Sequence, residues 1–181
     1  VWFAKNTHWP RVTADAHAAR RQAPRRSARP VARFRRVRTA PLINPVFISD
    51  LHLTLQRPRT MQRFLRFMRE DAPGYRELAI LGDLFEFWLG DDAGESAEPV
   101  IQALASATQE GQRVLLMHGN RDLLLGTEFC HSSGASLLAD PIVVVVAGAP
   151  TLLSHGDAWC TRDLAYQSFR AMTRDPKVQA D

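Results

Sequence analysis

Four short apolar runs in this sequence end in side chains that bind cations. "PVFISDLHL" ends its run at Asp50 and His52, "ELAILGD" at Asp83, "RVLLMHGN" at Asn120, and "TLLSHGD" at His155. Polar groups at the end of a buried strand are costly unless something pairs with them. Carboxylates, imidazoles and an amide, with no thiolate, suit a hard-to-borderline ion such as Mn²⁺, with Fe²⁺ or Zn²⁺ as the less favoured choices. Two such ions close together activate water and clamp a phosphoryl group for in-line attack. One carboxylate must then serve both ions, and Asp83, from the middle of the set, is the natural bridge. Singly, each residue has an ordinary explanation: Asp50 and His52 as a turn or cap, Asp83 as a helix cap, Asn120 as a turn residue, His155 as a hydrogen-bonded core histidine. Their recurrence in order, with Gly82, Gly119 and Gly156 permitting tight turns at the same places, is what makes them a site.

Such ends converge only if the runs are neighbouring strands, because open α/β sheets hold ligands beyond the carboxyl ends of their strands. The chain has the required alternation. Between the first two runs, "RTMQRFLRFMRE" sets Met61, Phe64, Leu65 and Met68 at helical spacing with arginines opposite. Between the second and third, "SAEPVIQALASATQEG" predicts a helix with Ser96 as N-cap and Gly111 as its C′ stop. This order predicts an α/β fold with a parallel sheet at its start. "PIVVVVAGAPTLL" then reads as a hairpin turning at "AGAP". "TRDLAYQSFRAMTRD" reads as a helix capped by Thr161, with Leu164, Phe169 and Met172 among its apolar positions. In extended backbone the i, i+2 spacing of Asp50 and His52 puts both on one side.

Charge divides the chain. Residues 1–41 hold eleven Lys and Arg against one acid, Asp15, whereas the remaining 140 hold twelve basic and eighteen acidic residues. The overall +4 therefore belongs to the leading segment, and the mildly acidic body is a poor nucleic-acid-binding domain. Residues 1–41, rich in Arg, Ala and Pro without apolar period, read as a disordered extension. It resembles a transit peptide or an anion-binding arm, and upstream translated sequence is an equal reading because the chain begins at Val. Residues 42–181 form the one domain expected. Cys130 and Cys160 make neither a disulfide framework nor a thiolate zinc site and fit a reducing cytoplasm. No apolar run reaches the roughly 18 residues of a membrane span.

"SDLHL", "LGDLFEFW", "HGNRD" and "LSHGD" resemble the successive motifs of the calcineurin-like metallophosphoesterase superfamily. The longer "GDLFEFWLGDD", "HGNRDLLLG" and "HGDAWCTRDLAYQSFR" resemble its branch of pyrophosphate hydrolases acting on UDP-2,3-diacylglucosamine in lipid A biosynthesis. The resemblance covers about Phe47 to Asp175. It implies an αββα sandwich and two Mn²⁺, one held by Asp50, His52 and Asp83, the other by Asp83, Asn120 and His155. It also implies Asn120, Arg121, Asp163 and Tyr166 as substrate contacts. A peripheral place on the cytoplasmic face of the inner membrane and an apolar helical lid are further implications. A closing Gly-His-x-His segment is implied too, and none is present: the other histidines are His8, His17, His118 and His131. The expectation is of a chain that ends within or near the lid.

Arg121 says most about the substrate. Most of the superfamily has His after the motif Asn, able to protonate an alkoxide leaving group. A guanidinium does not release a proton near neutrality, so such a site favours a leaving group that needs none, as when a phosphate monoester departs from a pyrophosphate. Arg121 would instead fork onto phosphate oxygens and stabilise developing charge. Its competing role is a salt bridge to Asp122 or a helix-start charge. Phe85, Phe87 and Trp88 read as core or as site lining, His118 as a support behind the ligands, and Asp91 and Asp92 as a solvated loop. Two rivals remain: another metallophosphoesterase, such as a nucleotide pyrophosphatase, and an inactive body carrying an Arg-rich nucleic-acid-binding arm.

Overall fold

The computed structural model describes residues 40–90 and 97–175. Of the expected extension only Ala40 and Pro41 fall among them, and Asp91, Asp92 and Ser96 lie outside the described residues.

Strands β1 (Pro45–Ile48), β2 (Glu77–Leu81), β3 (Arg113–Met117) and β4 (Ser136–Leu138) form one parallel sheet in that spatial order. Helices α1 (Pro58–Glu70), α2 (Glu98–Gln109) and α3 (Thr127–Ser133) make its crossovers. The pleat sends alternate residues to opposite faces. Val46, Ile48, Leu78, Ile80, Val114 and Leu116 pack under the helices, where α1 contributes Met61, Phe64, Phe67 and Met68 and α2 contributes Val100 and Leu104. On the other face, Ala79, Leu115 and Met117 pack against Ile142, Val144 and Leu153. These last belong to an antiparallel hairpin of β5 (Ile142–Val146) and β6 (Ala149–Leu153). It turns at Ala147 and Gly148, both at positive φ, the geometry that matches strand twist in two-residue turns. The layers are therefore helix, sheet, sheet, three of the four layers expected of an αββα sandwich. Helix α4 (Leu164–Thr173) follows the hairpin, and none of its residues is buried.

Several local expectations need correction. The N-cap residue of α2 is Ala97, with no side-chain cap bond, while Gly111 at φ 92° does end the helix. The cap of α4 is Asp163, which accepts from the backbone N–H of Tyr166, and not Thr161. A carboxylate two residues deeper wins because it reaches a free first-turn donor. Leu164, Phe169 and Met172 are exposed. Asp50 and His52 are not extended: both lie at positive φ, 55° and 48°, so simple alternation does not explain their shared direction. The short elements α3 and β4 had no reading from the sequence, being only 7 and 3 residues long.

Candidate metal centre

The segments leaving β1, β2, β3 and β6 carry the ligand-type residues, and backbone hydrogen bonds hold the first two together. Leu51 and His52 donate to the carbonyl of Asp83 at 2.9 and 3.0 Å, and Leu53 donates to that of Leu84 at 2.8 Å. Asp83 itself sits at φ 54°. Three non-glycine residues in the left-handed region within one constellation mean that the surrounding bonds impose a backbone the residues would not choose. The third segment approaches closely because Gly119 has no side chain: a Cβ there would collide with the backbone nitrogen and carboxylate of Asp83.

The carboxylate that ties these segments together is Asp122, which is fully buried. One oxygen accepts from Gly119 N at 2.8 Å and Asp83 N at 3.3 Å, the other from Leu84 N at 2.7 Å and Phe85 N at 3.4 Å. Burial pushes its carboxyl above the ordinary range and the charge of Asp83 adds to the rise, against the opposing bonds from Gly119, Phe85 and Leu84. Asp122 thus holds backbone, and the expected alternative of an Arg121–Asp122 salt bridge does not form. Arg121 instead pairs with Glu86 at 3.4 Å and lies 5.5 Å from the centre of the Phe87 ring.

Ligand-type atoms converge above this frame. Asp50, Asp83 and His155 each present one such atom, all within 4.8 Å of one another. His52 Nε2 is 3.6 Å from Asp83 Oδ2. His155 Nδ1 lies 2.9 Å from the carbonyl oxygen of Leu81, an acceptor only, so in the neutral ring Nδ1 carries the proton and Nε2 offers its lone pair. That lone pair faces Asn120 Oδ1 at 3.2 Å and Asp83 Oδ1 at 3.8 Å. Acceptors aimed at each other repel unless a cation lies among them, so the donor set fits a divalent metal ion. The structure brings Asp50, His52, Asp83, Asn120 and His155 together, and sets Arg121 beside them.

Helix α4 meets the site from the other side through polar groups. Asp157, two residues beyond His155, accepts from Tyr166 Oη at 2.7 Å and Arg170 Nε at 2.9 Å, with Arg174 Nη2 at 3.5 Å. Burial raises its carboxyl most strongly, yet the bonds from Tyr166 and Arg170 and the charges of Arg174 and Arg170 together bring it below the ordinary range. In return, burial and the Asp157 contacts push the Tyr166 hydroxyl well up. The Tyr166 hydroxyl is therefore committed to Asp157, and the exposed Asp163 carboxylate to its capping bond. His118 donates to or accepts nothing from the ligand set; its Nε2 lies 2.7 Å from the Leu125 carbonyl oxygen. Phe85 and Trp88 stack in the core at 4.9 Å, and Phe87 is exposed. Glu86, Asp140, Asp157, Arg170 and Arg174 were not singled out from the sequence as structural partners, and Asp122 was considered only as a partner of Arg121. All but Asp140 stand in or near the motifs that contain the ligands, but residue type alone does not distinguish a carboxylate that binds metal from one that binds backbone.

No family model matches the chain. Curated relatives do. It is 50% identical over 136 residues to UDP-2,3-diacylglucosamine hydrolase of Stenotrophomonas maltophilia, covering 75% of this chain and 55% of that protein. The protein of that name from Azotobacter vinelandii is 51% identical over 132 residues, and that from Marinobacter nauticus 50% over 134, again at 55% of their lengths. The chain thus spans about half the length of the curated relatives it matches. Among solved structures, the nuclease MPE of Pseudomonas putida aligns at TM-score 0.42 and 17% identity, over 55% of this chain and 50% of its own, a likeness too loose to carry weight. The layered sheets and the ligand cluster at their strand ends define a mixed α/β fold with a candidate metal site. Over about three quarters of its length the chain is similar to proteins named UDP-2,3-diacylglucosamine hydrolase.

Proposed function

We propose that this chain carries the metal-binding half of a Mn²⁺-dependent hydrolase that cleaves the pyrophosphate of UDP-2,3-diacylglucosamine into UMP and 2,3-diacylglucosamine 1-phosphate, a step of lipid A biosynthesis. The observation that carries the reading is the convergence of lone pairs from Asp50, His52, Asp83, Asn120 and His155 at the strand ends, in a chain that is 50% identical over 136 residues to a protein named for that substrate. Asp50, His52 and Asp83 would hold one ion and Asp83, Asn120 and His155 the other. When bound, such a pair makes water nucleophilic at neutral pH and withdraws charge from phosphoryl oxygens.

The residues of the chain supply the rest. Arg121 is 42% exposed at its side chain and held by Glu86 and Phe87, so its guanidinium can swing onto a phosphate and still keep a carboxylate partner. It grips the anion and offers no proton, which suits a phosphate leaving group. Asn120 has its amide at the ligand cluster, and the start of α4 offers the uridine-bearing part of the substrate the Tyr166 ring and the Asp163 carboxylate oxygen not used in its capping bond.

Contact with an anionic inner-membrane surface, on its cytoplasmic face, belongs to the same proposal. Residues 57–76 hold six of the body's twelve basic residues, all exposed: Arg57, Arg59, Arg63, Arg66, Arg69 and Arg76. Arg59, Arg63, Arg69 and Arg76 have no ion-pair partner among the described residues. Near the start of α1, Leu55, Phe87 and Leu89 are exposed around a pocket of about 260 Å³. Among the described residues no helix is long and apolar enough to cross a membrane.

The test is Mn²⁺-dependent release of UMP from UDP-2,3-diacylglucosamine by the 181-residue chain, after circular dichroism shows it folded. Release that disappears in Asp83→Ala supports the proposal. Release unchanged by that substitution refutes it, and where the folded chain releases no UMP, Mn²⁺ binding that Asp83→Ala leaves intact does so too.

A further inference from the structure

Helix α4 buries no residue, so apolar packing does not explain why it lies against the metal centre. Its attachment is a set of charged hydrogen bonds centred on Arg170. Nε of Arg170 donates to Asp157 Oδ2 at 2.9 Å and Nη2 to Asp140 Oδ2 at 3.2 Å. Both carboxylates are nearly dry, with 6% and 2% of their side chains exposed. The second oxygen of Asp140 accepts from the backbone N–H of His155 at 3.2 Å and from the Ser154 hydroxyl at 2.7 Å. One helical turn on, Arg174 Nη2 donates to the carbonyl of Gly119 at 3.2 Å, the residue before Asn120. Arginine suits this place because its planar fork serves two acceptors at once, which a lysine ammonium on a single flexible stem does less well.

We propose that Arg170 is a positioning residue for one half of the metal centre: through Asp140 and Asp157 it sets the backbone that carries His155, and with Arg174 it places Asn120. The inference rests on the two-ion reading above. The other half, Asp50 and His52, is held by bonds to the Asp83 and Leu84 carbonyls that do not involve α4. The two halves therefore respond differently to the loss of Arg170. The same helix carries Asp163 and Tyr166, so ordering the His155 segment and presenting the proposed substrate face are coupled.

The experiment counts Mn²⁺ bound to the 181-residue chain by electron paramagnetic resonance, using the metal alone as probe. It compares the unaltered chain with Arg170→Met, which keeps the aliphatic stem, and with Arg170→Lys, which keeps the charge. Each variant is first checked for an unchanged far-ultraviolet spectrum. Partners behind metal ligands typically alter affinity by about 10- to 100-fold. The expected result is that Arg170→Met keeps one ion at unaltered affinity and binds the other at least about tenfold more weakly, with Arg170→Lys in between. Two ions held by Arg170→Met as tightly as by the unaltered chain overturn the inference. A uniform loss at both positions also overturns it, because it indicates a general structural role. Failure of the unaltered chain itself to bind a pair of ions sinks the two-ion reading and this inference with it, and is distinguished by appearing before any substitution.

Discussion

Replacing Asp122 with Asn tests whether one buried carboxylate holds the metal-bearing segments together. The two side chains have nearly the same shape, so packing is preserved. In the native site each carboxylate oxygen accepts one short and one long backbone bond, at 2.8 and 3.3 Å on one side and 2.7 and 3.4 Å on the other. An amide keeps one oxygen and turns its NH₂ toward the remaining two N–H groups, which lose their acceptor and face a donor. A buried donor left unsatisfied costs about 1–3 kcal/mol; of the two stranded here, the short-bonded one incurs most of that and the long-bonded one less. Removing a buried negative charge beside Asp83 returns part of it, as the raised carboxyl of Asp122 shows. The net expectation is a loss of about 2–3 kcal/mol, read as a lower urea midpoint with an unchanged slope. Mn²⁺ binding should weaken as well, because the Asp83 and Asn120 segments are no longer tied. A loss below about 1 kcal/mol with intact metal binding would refute the claim that Asp122 organises this frame.

Arg121→Ala should lower turnover by about 10²- to 10³-fold, the usual effect of removing one charge-stabilising donor, while leaving Mn²⁺ binding unchanged; equal turnover would show that another group grips the phosphate. Asp157→Asn isolates a pH effect. The Asp157 carboxyl is depressed in the folded chain, so its contribution to stability is present above the unfolded value of 3.8 and is lost as pH falls through the lower folded value. The stability advantage of the unaltered chain over the variant should accordingly be full at neutral pH and decline below about pH 4, a comparison made by urea unfolding across pH; a gap independent of pH contradicts the assignment. Replacing Arg59, Arg63 and Arg66 with Ala should weaken binding to anionic vesicles by about 1 kcal/mol per residue, over a hundredfold in all, with little change on neutral vesicles. Retention of full binding in vesicle flotation would move the membrane contact off α1.

Much of the site is legible in the sequence. Asp50, His52, Asp83, Asn120 and His155 stand out because strand ends are local: a continuous apolar run and a ligand-type side chain, in three of the four cases with a glycine beside it, lie within a few residues of one another. The parallel start of the sheet follows from strands alternating with amphipathic segments such as α1, whose buried face was legible at Met61, Phe64 and Met68. The caps were less legible, because Thr161 and Asp163 are both good candidates and only the placed backbone shows which one reaches a free N–H.

By itself, then, the sequence determined the α/β class, the donor types and their order along the chain, since these depend on residue chemistry and short-range periodicity. Tertiary structure decided what each polar residue is for. Asp83 and Asp122 are both acids at strand-end motifs, yet one offers its carboxylate to the ligand cluster and the other to four backbone N–H groups from two separate segments. Arg121 finds Glu86, 35 residues away, in place of its neighbour Asp122. The left-handed backbone of Asp50, His52 and Asp83 arises where segments from β1 and β2 bond to one another. Such choices depend on which groups meet across the fold with no water between them, and that is settled only when strands distant in the chain pack side by side.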